Sequence, residues 1–221
     1  DELAARDALP LPPYPGVAFR ISELVREGDY SLTDLAKLVR SDPALAADLL
    51  RVANAAYYGH GPVVSLDQAI LRVGEAHLEQ LALASALGAH ALAWGPLAPL
   101  RRMAWHDALA SAVLSRELAR ERRLHPEEAF SCGLLHDFGR VVAVGALERI
   151  ASGSRAMPAY FWESVVDRHH VRLGDLLAAR WRLPAVVRDA VRLHHEDDPA
   201  GATAPRLMEV VQVVDSAVRL L

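Results

Sequence analysis

Cysteine is almost missing from this sequence. Cys132 is the only one in 221 residues, which excludes an internal disulfide framework and cysteine-rich zinc modules and fits a reducing, cytoplasmic setting. Lysine is as scarce. Lys37 stands alone among 24 basic residues, set against 28 acidic ones for a formal net charge of −4. A general nucleic-acid binder takes its affinity from phosphate neutralisation, so no nucleic-acid partner is expected. Neither half carries a one-sign field: residues 1–96 hold 7 basic and 12 acidic groups, the remainder 17 and 16. No basic-plus-apolar leader opens the sequence. It starts on Asp1 and stops at Leu221 inside an apolar pattern, which reads as a piece of a longer chain. Charge is also missing from Leu81–Leu100. That stretch is alanine-rich, carries His90 and is broken by Gly95-Pro96 and Pro99. It therefore reads as a helix buried in a bundle, and no membrane association is expected. Sustained apolar–polar alternation is absent, so no strand is required.

Helical periodicity is what the sequence does have. Apolar residues make up 52% and charged residues 24%, a globular balance. Val17, Ile21, Leu24 and Val25 recur at helical spacing after Pro15-Gly16. Ser31-Leu-Thr-Asp34 resembles a capping box, and Asp42-Pro43 pairs an N-cap with a first-turn proline. Ser65 and Asp67 open a helix that Gly74 ends, and another is predicted over 75–93. Beyond Gly95-Pro96 the pattern predicts helices over 100–124, 126–136, 141–150, 158–169, 173–181 and 184–194, and a last one opened by Pro205. The expected fold is all-α, with an N-terminal helical subdomain over 1–95 packed on a helical bundle over 96–221.

Ten histidines are unusual for this length, and their placement narrows their meaning. His60, His77, His90 and His125 have no partners in sequence and read as structural, and His169 reads as a helix-end residue. His136-Asp137 sits inside Gly133-Leu-Leu-His-Asp-Phe-Gly139, where an apolar helix ends before a glycine. Such a doublet presents an imidazole and a carboxylate side by side, the mixed nitrogen and oxygen donors that a divalent metal takes. His106-Asp107, His169-His170, His194-His195 and Asp215 lie at distances that allow convergence from separate helices. Cys132 lies one helical turn before His136, but no orienting group accompanies it, and it reads as a small core residue. The arginines at 116, 120, 122 and 123 alternate with Glu117 and Glu121, the pattern of a solvated face. Trp94, Trp105, Trp162 and Trp181 read as core anchors.

The chain resembles the HDOD family, the HD-related output domain branch of the HD metal-dependent phosphohydrolases. The resemblance rests on Leu11-Pro-Pro-Tyr-Pro15, Ser41-Asp-Pro-Ala-Leu45, Leu49-Leu-Arg-Val-Ala-Asn54-Ala-Ala-Tyr-Tyr-Gly59 and Ser65-Leu-Asp-Gln-Ala-Ile70 in the first half. In the second half it rests on Trp105, Gly133–Gly139, His170-Val-Arg-Leu-Gly174, Trp181-Arg-Leu-Pro184 and His194-His195. It implies a metal site of His136, Asp137, His170, His195 and Asp215, with His194 as alternative to His195, holding Fe, Mn, Ni or Zn. At the first ligand the pattern departs: Asp107 stands where the family has a histidine, and His106 falls one residue early. Neighbouring helical residues point about 100° apart, so only one of the two can face the site. The resemblance implies a bacterial signal-transduction output module that contacts a protein partner, a fused signalling domain or a second copy, without catalysis. A metal-dependent phosphohydrolase or phosphodiesterase is the alternative, and a nucleotide-binding sensor without hydrolysis the second alternative.

Overall fold

Side-chain caps start three helices of the N-terminal half, each at the position expected from the sequence. The computed structural model describes residues 12, 15–55, 61–151, 159–198 and 201–220. Most of the Leu11–Pro15 motif, the Ala56–Gly59 end of the second motif, His60 and Pro158 lie outside them. Helix α1 (Gly16–Glu27) ends at Gly28, whose φ of 74° is the left-handed cap that glycine adopts freely. Ser31 opens α2 (Leu32–Arg40) as a complete capping box, exchanging bonds with Asp34. Asp42 accepts from the Ala44 and Leu45 amides at 3.0 and 3.1 Å to open α3 (Pro43–Ala53). Ser65 caps α4 (Leu66–Val73), and α5 (Glu75–Ala91) follows Gly74. Ile21, Leu35, Val39, Leu45, Leu49, Ile70 and Leu78 form the core of this first compact unit, Tyr14–Ala89. Asn54 closes it locally. Its side-chain amide donates to Leu50 O and Val63 O, and its Oδ1 accepts from Val63 N, all at 2.8 Å.

The second compact unit runs from His90 onward. It contains α6 (Ala98–Glu121), α7 (Pro126–Leu135), α8 (Gly139–Ala151), α9 (Ala159–Arg180), α10 (Ala185–Leu193) and α11 (Pro205–Val218). The described residues are helical and contain no strand, as expected for an all-α chain. Helix α6 packs on α7, α8 and α11, while α10 packs on α7, α9 and α11. Leu134, Phe138, Val144, Val166, Leu177, Trp105 and Trp181 are buried among them.

Two expectations need correction. The pattern predicted separate helices over 158–169 and 173–181, but α9 runs unbroken through 170–173. Gly139 lets the start of α8 approach α9, since a Cβ on it would overlap the His170 carbonyl oxygen and lie 2.8 Å from Gly174 N, while a Cβ on Gly174 would lie 2.8 Å from Val191 Cγ1 of α10. Trp94 was expected in the core and is 96% exposed, in the loop between α5 and α6. That loop is fixed by a different residue. Arg101 is buried, pairs with Glu148 at 2.6 Å and donates to the Ala91 and Ala93 carbonyls, while Glu148 also accepts from Leu97 N at 2.8 Å. The loop also divides Leu81–Leu100 between two helices. Among the described residues, the stretch long and apolar enough to cross a membrane is Pro126–Arg149, with 67% of its window buried as in a core helix.

Candidate metal centre

Glycines allow the helices that carry the site to come close. On α7, a Cβ at Gly133 would lie 2.6 Å from Ser111 O and 2.9 Å from Ala112 Cα, so only glycine lets α7 lie this near α6. One turn later α7 stops at His136-Asp137, and Gly139 starts α8 against α9. The motif Gly133–Gly139 thus holds the doublet between two close helix contacts. His170 comes from the middle of α9, His194 and His195 from the end of α10, and Asp215 from α11.

Two clusters of ligating atoms result. One is His136, Asp137 and Asp215, the other His170, His194 and His195, each with its atoms within 4.8 Å of one another. They adjoin, since His170 Nε2 lies 3.4 Å from Asp137 Oδ1. Three of the rings are held by their own helices. His136 Nδ1 lies 2.8 Å from Gly133 O, His170 Nδ1 2.8 Å from Asp167 O, and His194 Nδ1 3.0 Å from Ala190 O and Val191 O. A carbonyl oxygen can only accept, so each Nδ1 carries the proton, and a neutral ring then presents Nε2 as a bare lone pair. These lone pairs face inward: His170 Nε2 is 3.3 Å from His194 Nε2 and 3.0 Å from His195 Nε2.

The electrostatics are tightly opposed. Burial lowers the pKa of His194, and neighbouring His136 and His195 add to that. Burial and Arg219 lower His195. His136 behaves differently: burial would lower it, but the hydrogen bond and charge of Asp215, 3.3 Å away, raise it overall. Asp215 is correspondingly held below the ordinary carboxylate range, because His136 and Arg219 outweigh its desolvation. Asp137 is buried, and its Oδ1 accepts no hydrogen bond. An orphaned carboxylate oxygen beside inward-facing imidazole lone pairs is the donor chemistry of a divalent cation, so the residues present fit one.

A cavity of about 200 Å³ opens beside the first cluster, lined by Asp107, Ser111, His136, Asp137, Arg140, Asp167, Asp215 and Arg219 among others. The departure at the first ligand resolves geometrically. Asp107 lines the cavity and His106 is exposed. Burial raises the pKa of Asp107, and the charge of Asp137 adds to this. Its carboxylate belongs to neither tight cluster. His169 is exposed and His125 lies on the surface, while His77 Nδ1 meets Val73 O at 3.2 Å. Cys132 is buried beside Val186 O, and burial raises its thiol pKa far above the ordinary range, so it is no nucleophile.

Sequence reasoning missed Arg140, Asp167 and Arg219. Arg140 Nη1 pairs with Asp167 Oδ1 at 2.7 Å, and its Nε lies 3.6 Å from Asp137 Oδ2. Arg219 Nε bonds Asp215 Oδ1 at 2.9 Å. Helical spacing could have found both arginines, since they fall three and four residues after Asp137 and Asp215.

Known proteins share this fold. A protein of Shewanella amazonensis SB2B, named a "Putative metal-dependent phosphohydrolase", is similar over 100% of this chain and 81% of its own, with a TM-score of 0.76 and 20% identity. An HDOD domain protein of unknown function from Geobacter sulfurreducens matches over 95% of this chain and 73% of its own, with a TM-score of 0.72 and 23% identity. In sequence, an uncharacterised protein of Treponema pallidum (strain Nichols) is 26% identical over 96% of this chain. That match covers 42% of the relative's own length, so the chain spans about two fifths of the curated relative it matches. The HDOD domain family model matches residues 11–197, and the chain belongs to that family.

Proposed function

We propose that this domain is a signalling module built around an HD-type divalent-metal centre that binds its ion without turning over a substrate. Its output passes to a protein partner, a fused domain or a second copy. The observation that carries this reading is the charge around the cavity. Four aspartates line it, at 107, 137, 167 and 215, against two arginines, at 140 and 219. Both arginines are already paired with those carboxylates. The wall therefore has an excess of two negative charges. One divalent ion at most offsets that excess, and falls short of it where it displaces an arginine, which leaves little net attraction for an anionic phosphoester.

His136, Asp137 and Asp215 would hold one ion, and His170, His194 and His195 form a second donor set. Fe, Mn, Ni or Zn suits this mixture. A bound ion supplies positive charge and lowers the pKa of a coordinated water. The chain's own residues fix the tautomers of His136, His170 and His194 and hold Asp137 Oδ1 beside the donors. The phosphohydrolase or phosphodiesterase alternative is favoured by one observation: the cavity beside the first cluster has arginines in its wall. With ions in both donor sets the site would carry the positive charge that phosphoester binding requires. A nucleotide sensor fits less well, because about 200 Å³ falls below the ~300–1,000 Å³ of small-molecule pockets.

The test measures metal content in protein purified without chelators or a histidine tag, followed by a phosphoester panel. One equivalent of metal, lost in Asp137→Asn, with no turnover is the expected result. Hydrolysis that His136→Ala abolishes would replace this reading with the enzymatic one.

A further inference from the structure

We infer that Arg219 is a built-in counter-cation of the metal centre and competes with the divalent ion for the same ligands. The inference rests on the metal-binding reading above. Arg219 follows the end of α11 and reaches back over the site. Its Nε bonds Asp215 Oδ1 at 2.9 Å, one Nη bonds His195 Nε2 at 3.1 Å, and the same Nη lies 3.7 Å from Asp137 Oδ2. One guanidinium therefore touches both donor clusters, at two carboxylates and at the outermost imidazole. The Asp215 Oδ1 and His195 Nε2 lone pairs are ones a metal would take, and Asp137 is held through the other oxygen of its carboxylate.

Two features make this more than a surface ion pair. Asp137 and Asp215 have side chains only 9% and 8% exposed, so their charges need a compensating cation within the site. The Arg219 side chain is 42% exposed, so it can swing into water when another cation arrives. Arg140 is a poorer candidate, because its side chain is 14% exposed and its shorter pairing is with Asp167 outside both clusters. Guanidinium and divalent cation are then mutually exclusive at Asp215 Oδ1. Metal affinity is set by the difference between the two occupants, which suits a site that reports on metal availability.

The experiment titrates Mn²⁺ into chelator-stripped wild type, Arg219→Gln, Arg219→Lys and Asp137→Asn by calorimetry, and records thermal midpoints with and without Mn²⁺. Arg219→Gln should bind Mn²⁺ at least ten-fold more tightly than wild type, with Arg219→Lys between them. Without metal, Arg219→Gln should melt below wild type, because Asp215 loses its nearest cation and Asp137 is left with Arg140 alone of its two arginines. With saturating Mn²⁺ the gap should close or reverse. A folded Arg219→Gln that binds Mn²⁺ no more tightly than wild type overturns the competition while leaving the metal reading intact. Absence of binding in wild type and Arg219→Gln alike removes the metal reading and this inference with it.

Discussion

At the scale of the residue, the site contains histidines whose protonation pulls stability in opposite directions. His194 and His195 are held below the ordinary 6.5, so the unfolded chain takes up protons first as pH falls through that value, and the fold loses stability there. His136 is raised, so its contribution is full below 6.5 and is lost as pH climbs through its folded value. Asp215 is held below 3.8, so its contribution is present above that value and lost as pH falls further. The metal-free protein should therefore be most stable near neutrality and decline on the acid side, where the two histidines act below 6.5 and Asp215 joins them only below 3.8. Urea midpoints from pH 4 to 9 in excess chelator measure this, and a flat profile would show that these rings do not titrate on unfolding. The His136-Asp137 doublet was legible from sequence because its chemistry is local. Helical spacing offers the pair of Arg219 with Asp215, but the reach of Arg219 to Asp137 and His195 was not legible, because it depends on where α11 is placed against α7 and α10.

At the scale of the element, glycine and caps decide where helices start and how closely they pass. Gly139→Ala would drive a methyl into the His170 carbonyl, a backbone atom that cannot yield cheaply. It should cost about 3 kcal/mol, at the upper end of overpacking, and weaken metal binding by parting Asp137 from His170. Equilibrium denaturation and metal titration read the two effects. Asp42→Ala removes the cap from two amides at the start of α3. It should cost about 1 kcal/mol of stability in urea unfolding and leave metal binding unchanged. The caps at Ser31, Asp42 and Ser65 were readable because a cap and its amide lie within three residues. The unbroken α9 was not, because the packing of 170–174 against Gly139 and Val191, which holds that stretch in one helix, joins residues remote in sequence. The Arg101–Glu148 pair was not readable for the same reason, since its members are remote in sequence.

At the scale of the whole molecule, the chain divides into two units with separate cores, and every candidate ligand belongs to the unit beginning at His90. A ligand that binds only folded protein stabilises what it binds. Saturating Mn²⁺ should thus raise the thermal transition of that unit while leaving the Tyr14–Ala89 transition where it was. Calorimetry with and without chelator measures this, and an equal shift of both would show that they melt as one. The all-α class was legible from periodicity, since both units are built from amphipathic stretches between breakers. The cavity wall was not, because Asp107, Asp167 and Arg140 become neighbours only after folding. The anchoring of the rings by their own helices has one more consequence. The carbonyls that orient His136, His170 and His194 lie three or four residues earlier in the same chain segments. Each ligand therefore keeps its aim only while that turn stays wound. An ion held by His136, Asp137 and Asp215 would slow amide hydrogen exchange at 133–136, and an ion in the second donor set would do the same at 167–170 and 190–194.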